Sequence, residues 1–234
     1  MTTLTTATTA ATTTTTTPAR QLGLLEAFLV PVGYVALLIG GGVAFALAGG
    51  NLDGVGISLL TALVTLGAVG LTLAVRVRSF APLLLRAPGT RWLWTGLGVG
   101  VALRLLAFAI SAAWIAFTGD AWNPHQNLAD STMLGGWSFV AILALGGLVI
   151  PFAEELLFRG VLYGALRRYG PVLAGLVSAA VFGIAHIWPP LVVFAFLVGV
   201  VHAWMRERSG SIWPAVISHA TVNTLSIVMI ALIA

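Results

Sequence analysis

Residues 136–166 read GWSFVAILALGGLVIPFAEELLFRGVLYGAL, an apolar run long enough to cross a bilayer, with Glu154, Glu155 and Arg159 set inside it. That placement decides the fold class. An isolated charge at mid-bilayer costs about 2.5–3.5 kcal/mol, so three adjacent ionisable groups persist only where they are paired, watered and used, which means the interior of a helix bundle. On a helix advancing about 100° per residue, Glu155 and Arg159 share one face as an i,i+4 pair, whereas Glu154 points about 100° away. Glu154 is therefore the carboxylate left for chemistry, and Glu155 with Arg159 reads as structural support.

Outward from this stretch the composition is uniform. The 234 residues are 59% hydrophobic and 8% charged, more apolar surface than one soluble core buries, so the chain is an integral membrane protein. Apolar stretches at 24–48, 54–75, 92–118, 136–166, 171–187, 190–205 and 212–233 predict an all-α polytopic bundle of about seven spans. All eleven basic residues are arginine and none forms a long run, which excludes a nucleic-acid partner and leaves the lipid bilayer. The absence of cysteine excludes a disulfide framework, a thiol nucleophile and a thiolate metal site. The first seventeen residues, mostly Thr and Ala, predict a disordered tail, and no internal repeat or soluble second domain is visible.

Arginines test the span count, because cytoplasmic loops collect them. Arg20, Arg76, Arg78, Arg86, Arg91, Arg167, Arg168, Arg206 and Arg208 all fall on one side of the predicted bundle. The opposite loops carry Asn51, Asp53, Asp120, His125 and Asp130. The amino terminus is thus expected in the cytoplasm and the carboxyl terminus outside, at the plasma membrane. Arg104 and Arg159 lie within spans; Arg104 reads as a packing or snorkelling residue. Pro151, which donates no backbone hydrogen bond, predicts a kink beside Glu154. Trp188-Pro189-Pro190 is expected to end the fifth helix, and Ser211 with Pro214 to open the last one.

Three further polar residues lie in the predicted spans: His186, and His219 with Asn223 one turn apart on one helix face. At 1.5 Å per residue from the arginine-rich end, Glu154 lies about 21 Å up its helix, His186 about 22 Å, Asn223 about 17 Å and His219 about 12 Å. Each alone reads blandly. A membrane histidine, His186 or His202 near its helix end, is often an interhelical hydrogen-bond partner, and Asn223 alone is helix glue. Four such groups at similar depth beside a kinked helix are hard to explain as independent packing.

The ordered set Glu-Glu-x-x-x-Arg (154–159), Phe-x-x-x-His (182–186) and His-x-x-x-Asn (219–223), with the Gly199 stretch and Arg208-Ser209-Gly210-Ser211-Ile212-Trp213, resembles the CAAX protease and bacteriocin-processing family (CPBP, also called Abi) of intramembrane endopeptidases. The resemblance covers residues 138–228 and leaves the first three helices without a motif. It implies a division into a tail at 1–20, accessory transmembrane helices at 21–135 and a four-helix catalytic core at 136–234. It departs from the family at His202, where a small residue is common.

Carried onto this chain, the resemblance implies that Glu154 activates the attacking water, His186 assists, and His219 with Asn223 stabilises the oxyanion. If the enzyme were metal-dependent, Glu154, His186 and His219 would be the zinc set. A metal-free water is favoured, because a glutamate serving as both ligand and base needs a second carboxylate, and Glu155 is committed to Arg159. The expected activity is hydrolysis of a peptide bond in a membrane-associated peptide or protein. The alternative is a non-enzymatic transporter or bacteriocin-immunity binding protein using the same polar cluster; the absence of an echo of the Glu-Glu segment in residues 22–118 speaks against a transporter's pseudo-symmetric halves.

Overall fold

Inside a bilayer each backbone N–H and C=O must find its partner within the segment, so apolar runs of this length fold as helices. The computed structural model describes residues 22–49, 53–77, 79–121, 126–133 and 135–233. The tail at 1–20 with Arg20, and Asn51, Arg78 and His125, lie outside the described residues. The helices are α1 (Leu24–Leu47), α2 (Gly54–Val77), α3 (Thr90–Thr118), α4 (Gln126–Met133), α5 (Gly136–Tyr169), α6 (Pro171–Ile184), α7 (Pro189–Ser209) and α8 (Trp213–Ile233), with a 3₁₀ turn at Ala81–Leu83; no strand occurs among the described residues.

Six of these, all but α4 and α6, are long and apolar enough to cross a membrane. The run expected at 171–187 folds only to Ile184, because Trp188-Pro189-Pro190 follows and the residue before a proline is driven out of helical geometry. The two prolines instead open α7 in its first turn, where a missing N–H costs nothing. Ser211 Oγ accepts the N–H of Trp213 at 3.2 Å and donates to the Arg86 carbonyl at 2.7 Å, which fixes the start of α8 against the 79–89 loop. The short helix α4, in the stretch read as an outer loop, is additional.

Close approach is achieved through small residues. A Cβ on Gly96 would lie 2.6 Å from the Pro214 carbonyl oxygen, and one on Gly100 2.6 Å from that of Ser218, so this Gly-x-x-x-Gly pair lets α3 lie directly on α8. Gly199 and Gly183 do the same for the antiparallel pair α6 and α7, where a Cβ would meet Ala179 Cα at 2.7 Å and the Val192 carbonyl at 2.9 Å. Helix α8 also lies along α5, and α2 covers the opposite flank of α5. Large apolar residues such as Phe28, Leu63, Leu105 and Val172 point outward, as a lipid-facing surface requires.

Ion pairs and loop contacts gather at one end. Arg76 meets Glu26 at 3.1 Å and ties the end of α2 to the start of α1. Arg86 Nε donates to the Gly210 carbonyl at 2.6 Å, and Arg167 pairs with Glu207 at 2.6 Å, joining the ends of α5 and α7. Arg104, midway along α3, lies with its guanidinium 4.3 Å over the Phe108 ring.

Candidate active site

Helix α5 is not a uniform α-helix where it carries the carboxylates. It widens into π-helical turns at Leu145–Val149 and Leu156–Leu162, on either side of the six-residue α-helical segment that holds Pro151, Glu154 and Glu155. π-turns of this kind are frequent at functional sites. The first has a local cause: the N–H of Ile150 bonds the Leu145 carbonyl, five residues back, and Pro151 has no N–H to give. The Gly146 carbonyl is thereby left without a partner from its own helix, and Asn223 Nδ2 of α8 donates to it at 3.0 Å. Thr224 Oγ1 reaches the Gly147 carbonyl at 3.5 Å. The expected break at Pro151 is thus a widened, side-chain-supported stretch of one continuous helix.

Glu155 is the node of the site and is fully buried. Its Oε1 stands 3.2 Å from Arg159 Nη1 and accepts from Nδ1 of His202 and Nδ1 of His219, each at 3.0 Å. Accepting from both rings requires a proton on each Nδ1. His202 Nε2 then accepts from Ser218 Oγ at 3.0 Å, so the α7 histidine is clamped between α5 and α8. Arg159, also fully buried, has its guanidinium 4.5 Å over the Phe182 ring, a cation–π contact that supplements its ion pair.

His219 Nε2 faces Glu154, with 3.6 Å to Oε2, and the Glu154 side chain is 14% exposed where Glu155 is sealed. The two neighbouring glutamates therefore occupy different environments, one sealed with three partners on a single oxygen and one at the edge of the site. His186 lies outside the regular helix, in the turn after α6. Its Nδ1 donates to the Phe182 carbonyl at 2.8 Å, and its ring packs edge-on to Phe182 at 4.8 Å. Phe182 also meets the His219 ring at 5.7 Å, so this one phenyl spaces the two histidines. The next residue, Ile187, has φ +62°, a conformation β-branched residues rarely adopt, and the Trp188 N–H closes a tight turn on the His186 carbonyl at 2.6 Å.

Glu154, Glu155, Arg159 and His219 are thus brought together. Asn223 sits one turn along α8 with its amide on Gly146, and His186 reaches the cluster through Phe182. His202, read from sequence as a helix-end packing residue, is instead a fully buried partner of Glu155, seven residues inside α7. Its signal was present: it stands at the position noted as departing from the family pattern. Ser218, beside His219, carried no signal. Nor did Tyr34, a buried residue of α1 within electrostatic range of Glu154.

Among the described residues, the group whose ligand atoms lie within 4.8 Å of one another is Glu155, His202 and His219, which differs from the expected trio Glu154, His186 and His219. By donor type they suit zinc. By charge they suit it poorly. The shared carboxylate oxygen already faces the Arg159 guanidinium, both Nδ1 atoms are turned to that oxygen as donors, and a dication there would stand beside a buried cation. No catalytic step is therefore routed through a metal.

Residues 136–225 match the family model described as Type II CAAX prenyl endopeptidase Rce1-like. The chain is also 29% identical over 143 residues, 60% of its length, to a Bacillus subtilis (strain 168) protein named "Putative membrane peptidase YdiL". That match spans 57% of the Bacillus protein. No solved structure matches the chain. The matched segment holds every residue of the Glu155 cluster and runs from the first turn of α5 to just past Asn223 in α8, so it is the part of the chain carrying this cluster that is similar to the Rce1-like endopeptidases.

Proposed function

We propose that this protein is an intramembrane endopeptidase that hydrolyses a peptide bond of a membrane-associated peptide or protein with a water activated by Glu154. The observation that carries the reading is the division of labour between adjacent carboxylates: Glu155 is sealed with its Oε1 held by Arg159, His202 and His219, while Glu154 stands at the site's edge, 3.6 Å from His219 Nε2. Glu154 takes a proton from water as its oxygen bonds to the scissile carbonyl carbon. The resulting oxyanion collapses, the C–N bond breaks, and Glu154 returns the proton to the leaving amine.

His219 and Asn223 are the proposed oxyanion donors. Because His219 Nδ1 is committed to Glu155, donation must come from Nε2, which requires the doubly protonated ring with Glu155 as its counter-charge. Asn223 gives one amide hydrogen to Gly146 and has a second to offer. His186, held by the Phe182 carbonyl, is the proposed assistant to Glu154. Donors fixed in this way need little reorganisation during the reaction, which is where preorganised sites gain their rate.

The test is Glu154→Gln purified into proteoliposomes alongside wild type, with proteomic identification of the membrane substrates it retains. Losing the base should lower turnover by about 10²–10⁴-fold with the fold intact. Wild-type cleavage by this variant would overturn the assignment.

A further inference from the structure

A cavity of about 480 Å³ opens at the arginine-rich end of the bundle, among Leu22, Pro82, Leu84, Gly164 and Ala165 and the side chains of Arg167, Arg168, Arg206 and Glu207. Its charges are not balanced. Glu207 is occupied: Arg167 holds it through Nε and Nη2 at 2.6–3.0 Å, and the Tyr163 hydroxyl donates to it at 2.8 Å. Arg206 is 96% buried, since only 4% of it is exposed, and no hydrogen bond or ion pair holds it among the described residues. Its Nε is sealed without an acceptor, its guanidinium carbon lies 4.4 Å over the Tyr163 ring, and Glu207 acts on it only through the field, beyond ion-pair distance. Arg168 likewise has only the Tyr169 ring, at 5.0 Å.

A buried guanidinium without an acceptor is costly, and a membrane protein has apolar alternatives at such a position. The geometry points to a binding site for a phosphate-bearing anion, held by Arg206 and Arg168, at the end of the bundle away from Glu154. Guanidinium groups suit phosphate oxygens in bidentate geometry. The apolar wall of Leu22, Pro82 and Leu84 suits the glycerol and first acyl carbons of a phospholipid, and basic pockets among helix ends are where anionic headgroups bind. Gly164 keeps the cavity open. A Cβ there would lie 3.1 Å from Leu22 Cδ1 and 3.5 Å from Arg206 Nη2.

The site is tested on the full chain in neutral detergent by thermal unfolding with dioctanoyl phosphatidylglycerol, dioctanoyl phosphatidylcholine or inorganic phosphate. Phosphatidylglycerol should raise the melting temperature above the phosphatidylcholine control, and Arg206→Gln and Arg168→Gln should each remove most of that difference. An equal rise with inorganic phosphate would identify the ligand as the free anion. Should Arg206→Gln fail to fold, the exposed Arg168→Gln decides alone. Equal melting temperatures in all three additives, or a phosphatidylglycerol effect that survives both substitutions, would overturn the site. Peptidase activity does not enter the readout, so the outcome stands apart from the proposed function.

Discussion

At the scale of single residues, the site depends on how three cations or donors share one carboxylate oxygen. Glu155→Gln leaves the buried Arg159 without its counter-charge, and breaking such a pair costs about 3–5 kcal/mol. The expected outcome is a lower melting temperature, of which Glu155→Gln combined with Arg159→Met recovers part; a double-mutant cycle with no coupling would dissolve the pair. The recovery should be incomplete, because His202 and His219 then face a neutral amide oxygen, a weaker acceptor than the carboxylate. The charge argument at the same node predicts that turnover survives rigorous chelation, measured with metal content in parallel; stoichiometric zinc lost and restored together with activity would contradict it. The i,i+4 phase of Glu155 and Arg159 could be read from sequence because helix geometry is local. The bond from His202 to Glu155 spans 47 residues, and no local pattern states which of two α7 faces meets α5.

At the scale of elements, the instructive case is the contact between α5 and α8. Pro151 signalled an irregular helix, but whether it would bend or widen depended on what could reach the orphaned Gly146 carbonyl, and that is Asn223 from 77 residues away. Asn223→Ala should therefore lower stability as well as activity, by about 1–3 kcal/mol for a buried carbonyl left unpaired. In a Pro151→Ala background the helix regains an N–H that can serve that carbonyl, so the stability cost of Asn223→Ala should shrink while its activity cost remains. Equal stability costs in both backgrounds, measured by thermal unfolding, would show that the proline does not create the vacancy that Asn223 fills. The α3 and α8 contact makes a parallel case: Gly100→Leu must displace α8 backbone and Thr221, with overpacking of about 1–3 kcal/mol or more.

At the scale of the whole molecule, helix existence was legible because each span is a long apolar run, and the Trp-Pro-Pro turn marked the end of α6 to within one helical turn, at Ile184 where 187 was expected. Gly183 against Val192, and Gly199 against Ala179, set α6 and α7 antiparallel, and the Arg167–Glu207 pair joins the end of α5, where α6 begins, to the end of α7. Together with Arg76 on Glu26 and Arg86 on Gly210, this gathers the arginine-bearing segments of the described residues at one end of the bundle. Arginines retained on one side set orientation, so we propose that this end faces the cytoplasm. Reporters fused after Arg86, Arg168 and Arg208 should all read cytoplasmic, and one fused after Ala234 external, because α8 makes a single further crossing. Agreement between Arg168 and Arg208 is the sharper half of the test. The fourteen residues of α6 rise only about 21 Å, less than a bilayer core of about 30 Å, so only a hairpin that returns through α7 puts both arginine pairs on one surface. Opposite readings at those two positions would mean that α6 and α7 do not form that hairpin in the membrane, and would separate His186 from the face of α5 that carries Glu154.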